Sequence, residues 1–266
     1  MAKEVAKKKS TNVVEFDQEL LLADSGAGLE GMTSEDFMIP RITILQQMSN
    51  AVNKRDGAYV EGAEPGHILD NVSRQTVDGE VGITVVPVSY RRCHIEWKKD
   101  RAGFVRDHGA GSGILEGCSR GDRGEYLNFE GNEITPTSEY YVFVVEKDGT
   151  FSPALLSMAK SQLKKARRWN SMISKLQVPH PTDDTKKFRP AMFWNAYKLT
   201  TVPEENDQGS WFNWDIEMMF DANSGGIIQN LITGRDIYLA ARDFKDQVNK
   251  GEVQVSPDTE EDPDTM

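Results

Sequence analysis

The sequence predicts a mainly β fold with helical elaborations around an OB-like barrel core, an α+β arrangement overall. Short segments rich in β-branched and aromatic residues support it, as does a helix-period segment between an early hairpin and two later strands. A large glycine-rich stretch over residues 100–138 is the third observation. Periodicity alone does not separate this barrel from another mixed α+β sheet.

The N-terminal part of the chain sets the first boundary. Residues 1–34 mix charge, glycine and serine, which predicts a flexible arm. Order is expected to begin within residues 37–45, where Pro40 argues against a central strand or the middle of a helix. Residues 83–90 are rich in β-branched residues and predict a strand, with residues 91–97 as its candidate continuation.

The middle of the chain contains the clearest local signals. Pro87 indicates a sheet edge or a bulge in the strand that carries it. The eight glycines of residues 100–138 predict a working loop or a poorly ordered one. Residues 140–146 predict a strand, Asp148-Gly149 favours a hairpin turn, and residues 151–156 are expected to form the return strand.

A helix and two strands are expected next. Apolar residues recur at helical spacing over residues 157–176, and Pro179 follows as a stop signal. Strands are predicted over residues 191–199 and 211–220, and the second alternates cleanly between an apolar and a polar face.

The C-terminal part combines a capped helix with a polar tail. A helix is expected over residues 233–250, with Thr233 as its N-cap and Gly251 at its end. Residues 252–266 have too little apolar content to fold and are predicted to be a disordered acidic tail. The OB-like domain is therefore expected to span residues 35–251.

The formal net charge of −11 is unevenly distributed. Residues 252–266 hold six acidic residues and no lysine or arginine, whereas residues 160–175 are basic. The local potential, not the sum, decides whether a polyanion can bind. No segment has the length of a membrane span or the pattern of a secretory signal, so a cytoplasmic protein without membrane contact is expected.

Several kinds of chemistry lack a signal. No phosphate-binding loop and no nucleophile elbow is present, so neither an enzyme nor a cofactor is predicted. Cys93, His94, His108 and Cys118 could supply four ligands to zinc, although their spacing matches no standard site. The favoured interpretation is an edge-strand cysteine with incidental histidines, and zinc remains the alternative.

The distribution of basic and aromatic residues favours nucleic-acid binding. On a helical wheel the basic residues of segment 160–175, except Lys165, lie opposite its apolar side. No carboxylate interrupts them, although a merely solvated face is the alternative. Exposed rings on strands can stack on bases of any sequence. The predicted binding residues are Tyr90, Arg91, Arg92, Trp97, Lys98, Lys99, Tyr141, Lys160, Lys164, Arg167, Arg168, Lys175, Trp194, Tyr197 and Trp211.

Four phrases of the sequence carry a resemblance to a known family. Residues 35–46, 59–68 and 82–90, together with Glu96-Trp97, resemble replication proteins of short-tailed bacteriophages that are regarded as single-stranded DNA-binding proteins. The resemblance implies a phage protein in the cytoplasm of an infected bacterium, where it would cover single strands during replication and recombination. The acidic tail is predicted from its charge to compete with DNA phosphates and to dock replication proteins, and a tail that only aids solubility is the alternative. The resemblance adds transcription proteins to the expected partners.

The sequence therefore predicts a non-enzymatic, sequence-independent single-stranded DNA-binding protein. A virion or assembly protein without nucleic-acid binding is the first alternative, since a β-rich core with polar ends would suit it equally. A metal-dependent nuclease that uses carboxylates with His94 or His108 is the second.

Overall fold

The computed structural model describes residues 23–32, 36–101, 103–207 and 209–256. The chain divides into two compact units, residues 1–37 and 38–266. In the first unit, the described residues 23–32 consist mainly of turns, with Gly26 and Gly28 at positive φ. The predicted flexible arm lies mostly outside the described residues.

The second unit is built mainly from strands. They are Met38–Ile39 (β1), Arg41–Ile44 (β2), Ile68–Asp70 (β3), Thr76–Val77 (β4), Ile83–Trp97 (β5), Phe104–Asp107 (β6), Ser119–Arg120 (β7), Tyr126–Leu127 (β8), Glu133–Val145 (β9), Phe151–Ala159 (β10), Val178–His180 (β11), Asp183–Phe188 (β12), Tyr197–Asn206 (β13), Gly209–Met218 (β14) and Gln254–Val255 (β15). The helices are Leu163–Lys175 (α1), Gly226–Asn230 (α2) and Gly234–Lys250 (α3).

One curled sheet forms the half-barrel core. Its strand order is β14-β13-β5-β9-β10-β2-β3-β4, with β6 added to β5 and the β7–β8 hairpin added to β9. All neighbours in it are antiparallel except β2 and β10. This architecture confirms the predicted mainly β, OB-like core with helical elaborations.

A side-chain amide connects the edge strand β14 to the segment that follows β2. Gln46, just after β2, is buried, and its Nε2 donates to the carbonyl oxygen of Phe212 over 2.9 Å. Its Oε1 accepts from the backbone N–H of Phe212 over 2.8 Å. Gln46 thus satisfies the backbone of β14 as a neighbouring strand would, which holds β14 against the end of β2.

Both faces of the sheet are covered by a helix. On one face Tyr140 of β9 stacks on Trp169 of α1, with ring centroids 4.3 Å apart. On the other face the next residue, Tyr141, packs edge-on against Phe244 of α3. Because successive strand residues point to opposite faces, β9 is buried at consecutive positions.

Several local predictions are confirmed. β9 and β10 form the expected hairpin around Asp148-Gly149, and β5 runs unbroken from Ile83 to Trp97. A register shift between Pro87 and Ser89 shows that Pro87 marks a bulge. The last helix follows Thr233 and ends at Gly251 in the left-handed conformation, although the Thr233 hydroxyl bonds the carbonyl oxygen of Gly149 and not the helix N-terminus.

Two predicted elements have different boundaries. The helix expected from residue 157 begins at Leu163, because β10 continues to Ala159 and pairs there with Thr137 of β9. The strand expected over residues 191–199 begins only at Tyr197, because Met192–Trp194 forms a 3-10 turn.

The glycine-rich stretch contains short strands that its sequence did not indicate, and the start of the tail shifts. Residues 100–138 contain β6, β7, β8 and the first part of β9, so this stretch is largely structured. Gln254–Val255 forms β15, which pairs in parallel with β1, and the following Ser256 is buried. The ordered domain therefore extends beyond residue 251 to Ser256, while residues 257–266 of the predicted tail lie outside the described residues.

Candidate nucleic-acid interface

A groove of about 960 Å³ runs between the insertion that joins β5 to β9 and the tip of the β13–β14 hairpin. The insertion supplies the 3-10 turn after β5, the β7–β8 hairpin and the turn into β9. The opposite wall comes from the 3-10 turn before α1 and from the start of β14. Its volume is near the upper end of the range for ligand sites, roughly 300–1,000 Å³.

Three of the predicted binding residues meet in this groove. Lys99 follows β5, Lys160 follows β10, and Trp211 lies near the start of β14. They are far apart in the sequence, and the fold brings them to the same cavity. Two lysines and one tryptophan from three separate segments therefore line the same groove.

A second ring belongs to the same site. Tyr126 of β8 lines the groove and is half-buried. The guanidinium carbon of Arg120 lies 3.5 Å from the centroid of its ring, in cation–π contact. The sequence did not indicate Tyr126 because the glycines around it predict a loop; the local signal was the short segment Tyr126-Leu-Asn-Phe129, which contains two aromatic residues.

Acidic residues balance part of the charge in the groove. Its walls carry the cations Lys99, Arg101, Arg123 and Lys160 and the carboxylates Glu125, Glu130 and Glu133. Glu133 bonds Arg101 at 3.1 Å and lies 3.8 Å from the ammonium group of Lys160.

The pKa of Glu133 reflects these neighbours. Burial alone would raise it, but the hydrogen bond from Arg101 and the charges of Arg101 and Lys160 lower it. An ionised Glu133 thus holds two cations at the groove wall.

Helix α1 begins at the groove, where its first residue, Leu163, lines the wall. Lys164, Arg167 and Lys175 are exposed, and within the described part of the chain no carboxylate lies within ion-pair distance of them. Lys165 binds Glu204 at 2.9 Å and Arg168 lies 3.6 Å from Asp215. Segment 160–175 itself contains no carboxylate, as its sequence indicates, but β13 and β14 bring two carboxylates to it in the fold.

One buried carboxylate organises the insertion. Glu96 of β5 is 1 % exposed, and its Oε2 accepts from Arg106 Nε at 3.0 Å and contacts His108 Nε2 at 2.7 Å. Its Oε1 accepts from the side-chain amides of Asn128 and Asn132, over 2.9 and 2.8 Å.

These contacts control the protonation of Glu96. Burial alone would raise its pKa, but the hydrogen bonds from Asn132, Arg106 and His108 lower it to about 2. The ionised carboxylate therefore ties β6 and the turn before β9 to the central strand.

A family model for the Pam3 phage gp34-like protein matches residues 8–254. The chain belongs to this family. The match confirms the predicted phage origin, while single-stranded DNA binding stays a prediction. No curated protein and no solved structure matches the chain. Among the described residues, every helix is too short or too polar to cross a membrane.

The remaining predicted residues lie outside the groove. Arg91 is held by Glu139 at 2.6 Å and by Asp107 at 2.9 Å. Tyr90 is 37 % exposed and packs on Tyr140, so it lies at the open end of the ring cluster beneath α1.

Charged and aromatic residues elsewhere complete the predicted set. Arg92 and Lys98 are exposed. Trp97 lines a second cavity of about 420 Å³ beside Phe104, and Trp194 lies in the 3-10 turn before β13.

Two predicted stacking residues belong to the core instead. Tyr197 is 0 % exposed and packs edge-on against Trp169, and Tyr141 is 7 % exposed beneath α3. Neither ring can reach a base in this structure. The prediction for them is wrong because helices cover both faces of the sheet, so strand alternation leaves no open side at these positions.

The four candidate zinc ligands are not assembled. Cys93 is buried, Cys118 bonds the carbonyl oxygen of Ile114, His94 contacts that of Gly109, and His108 contacts Glu96. Adjacent strand residues such as Cys93 and His94 point to opposite faces.

One other set of ligand atoms does converge. In the described ranges, the group whose ligand atoms lie close together is Cys93, Asp107 and Glu139. The guanidinium of Arg91 already neutralises both of its carboxylates. Burial and the nearby negative charges raise the pKa of the Cys93 thiol, which keeps it protonated.

Proposed function

We propose that this phage protein binds single-stranded DNA without sequence preference and without catalysing a reaction. The observation that carries the proposal is the meeting of Lys99, Lys160 and Trp211, with Tyr126, in one groove. Proteins that coat single strands combine cations that follow the backbone with rings on which bases stack.

Helix α1 extends the proposed path of the strand. Lys160 lies at the groove wall one turn before α1, and the exposed Lys164 and Arg167 follow on the helix. A strand whose bases enter the groove can therefore place its next phosphates along α1. Such contacts release counterions, so the affinity is expected to fall steeply as salt rises.

The biological setting is part of the same proposal. A phage protein that covers single strands would act in replication and recombination in the cytoplasm of the infected bacterium. Residues 257–266 contain five acidic residues and no lysine or arginine. We propose that this segment docks replication or transcription proteins, which fits its charge and its position after the ordered domain.

A fluorescence titration tests the function directly. Five tryptophans make quenching by oligo-dT measurable, and duplex of equal length serves as the comparison at two salt concentrations. Tight, salt-dependent binding that prefers the single strand is expected. Absence of such binding rejects the proposal, and recovery of the protein in purified particles would then favour the virion alternative. Cleavage of the oligonucleotide in Mg²⁺ or Mn²⁺ would reveal a nuclease instead.

Neutralising two α1 cations should weaken binding through phosphate contacts. For Lys164→Gln with Arg167→Gln, we expect weaker binding to all sequences and a salt slope that is smaller by about 0.7 for each lost contact with a single strand. The matched control is Arg242→Gln with Lys245→Gln, two exposed cations of α3 on the opposite face of the sheet. Equal slopes for both variants would remove α1 from the proposed path.

A further inference from the structure

The hairpin turn between β8 and β9 exposes a phenylalanine almost completely. Phe129 is 91 % exposed, the largest fraction among the exposed large hydrophobic residues of the described ranges. Single exposed apolar residues are common and often mean little. Phe129 differs from such residues because hydrogen bonds hold its turn in one conformation.

The turn is built to one shape. The side-chain oxygen of Asn128 accepts from the backbone N–H groups of Glu130 and Asn132, each over 2.9 Å. The backbone N–H of Gly131 donates to the carbonyl oxygen of Asn128, and Gly131 adopts φ +80°, which favours glycine. Phe129 therefore lies in a turn with a defined backbone.

The same turn is anchored to the centre of the sheet. Asn128 and Asn132, which flank the tip, both donate their side-chain amides to the buried Glu96. These bonds fix both ends of the tip to β5. The ring of Phe129 is thus held in solvent on a rigid support, which lowers the entropy lost when a partner binds it.

The turn forms part of the groove rim. Tyr126 and Leu127 before the tip line the groove, as do Glu130 and Gly131 after it. Phe129 lies between these lining residues in the sequence, and its ring stays in water. Phe129 therefore belongs to the rim of the groove, beside the lining residues and not among them.

We propose that Phe129 stacks on an unpaired nucleobase at the rim of the groove. The inference rests on the proposed function and adds a residue to it. The residues next to Phe129 in the turn are polar, so a planar partner with an apolar face and polar edges suits the position better than an extended apolar protein surface. Tyr126 and Trp211 line the groove, and Phe129 adds a third ring at its rim.

Three variants separate stacking from simple apolar contact. Phe129→Leu keeps apolar volume without a ring, Phe129→Ala removes both, and Phe129→Trp restores a ring. Leucine and alanine are expected to weaken oligo-dT binding by about 5- to 100-fold, while tryptophan keeps the wild-type affinity. Ile232→Ala, at a residue 90 % exposed in the turn before α3, is the control and should bind normally.

Cross-linking locates the contact independently of affinity. Irradiation of the wild-type complex with an oligonucleotide that contains 5-iodouracil should join the base to Phe129, identified by mass spectrometry of the peptide. Wild-type protein that fails to bind oligo-dT defeats the proposed function itself. Normal wild-type binding with an unchanged Phe129→Leu affinity and no adduct at Phe129 overturns this inference alone.

Discussion

Replacing Glu96 with glutamine is expected to lower the free energy of unfolding by about 3 kcal/mol and to loosen residues 104–132. Both carboxylate oxygens of Glu96 face donors: Arg106 and His108 on one, and two asparagine amides on the other. A glutamine amide can lie in two orientations, and in each of them its NH₂ group faces donors and cannot accept their hydrogen bonds. Arg106, whose side chain is 66 % exposed, would also lose its ion-pair partner.

Two measurements check this expectation. Chemical denaturation gives the loss of stability, and hydrogen exchange locates it, with faster exchange in β6 and β8 than in β10. Glu116→Gln is the matched control, because Glu116 lies in the same insertion but is exposed. A Glu96→Gln protein as stable as this control, with unchanged exchange in the insertion, would contradict the assigned role.

Protonation of Glu96 is expected to destabilise the insertion at acidic pH. The pKa of Glu96 is about 2 in the folded protein, below the ordinary value of about 4.3 in an unfolded chain. Its stabilising contribution is therefore complete above roughly pH 4.5 and is lost as the pH falls toward 2. Over that window the difference in stability between wild type and Glu96→Gln should shrink; a constant difference would argue against this protonation.

Turns, helix ends and strands that depend on the preferences of a few neighbouring residues could be predicted from the sequence. Asp148-Gly149 determines a tight turn by its own conformational preference, and Gly251 ends α3 because it can adopt positive φ. The β-branched residues of β5 favour extended backbone regardless of their partner. These elements therefore appear where the sequence predicts them.

Features that depend on distant partners could not be derived in the same way. β10 extends to Ala159 because β9 offers a partner as far as Thr137, and the local sequence there is compatible with a helix. β15 exists because β1, more than 200 residues earlier, supplies its pairing edge. Neither pairing leaves a pattern within the segment itself.

The candidate site shows the same division. Residue type was enough to select Trp211, Lys99 and Lys160, which the fold then brings to one groove. Tyr126 and Phe129 were overlooked because their glycine-rich surroundings predict a loop. A single glutamate such as Glu96 has no local signature, since its importance arises from four partners supplied by other segments.

Removing both groove rings, by Trp211→Leu with Tyr126→Leu, should weaken oligo-dT binding by about 100-fold or more. Stacking on each ring is worth roughly 1–3 kcal/mol, and about 1.4 kcal/mol corresponds to a tenfold change. Leucine keeps apolar volume at both positions, which limits effects on folding. Trp194→Leu, which removes a half-buried ring that does not line the groove, is the control and should bind nearly normally.

The salt dependence of binding distinguishes the contribution of the groove rings from that of the α1 cations. Stacking releases few counterions, so the ring variant should keep the wild-type salt slope and stay weak at every salt concentration. The variant Lys164→Gln with Arg167→Gln should instead have a smaller salt slope than wild type. Its loss of affinity relative to wild type should therefore decrease as the salt concentration rises. If the ring variant instead lost its slope, or if Trp194→Leu weakened binding equally, the bases would not lie in this groove, and the cations of α1 would have to bind the strand along another face.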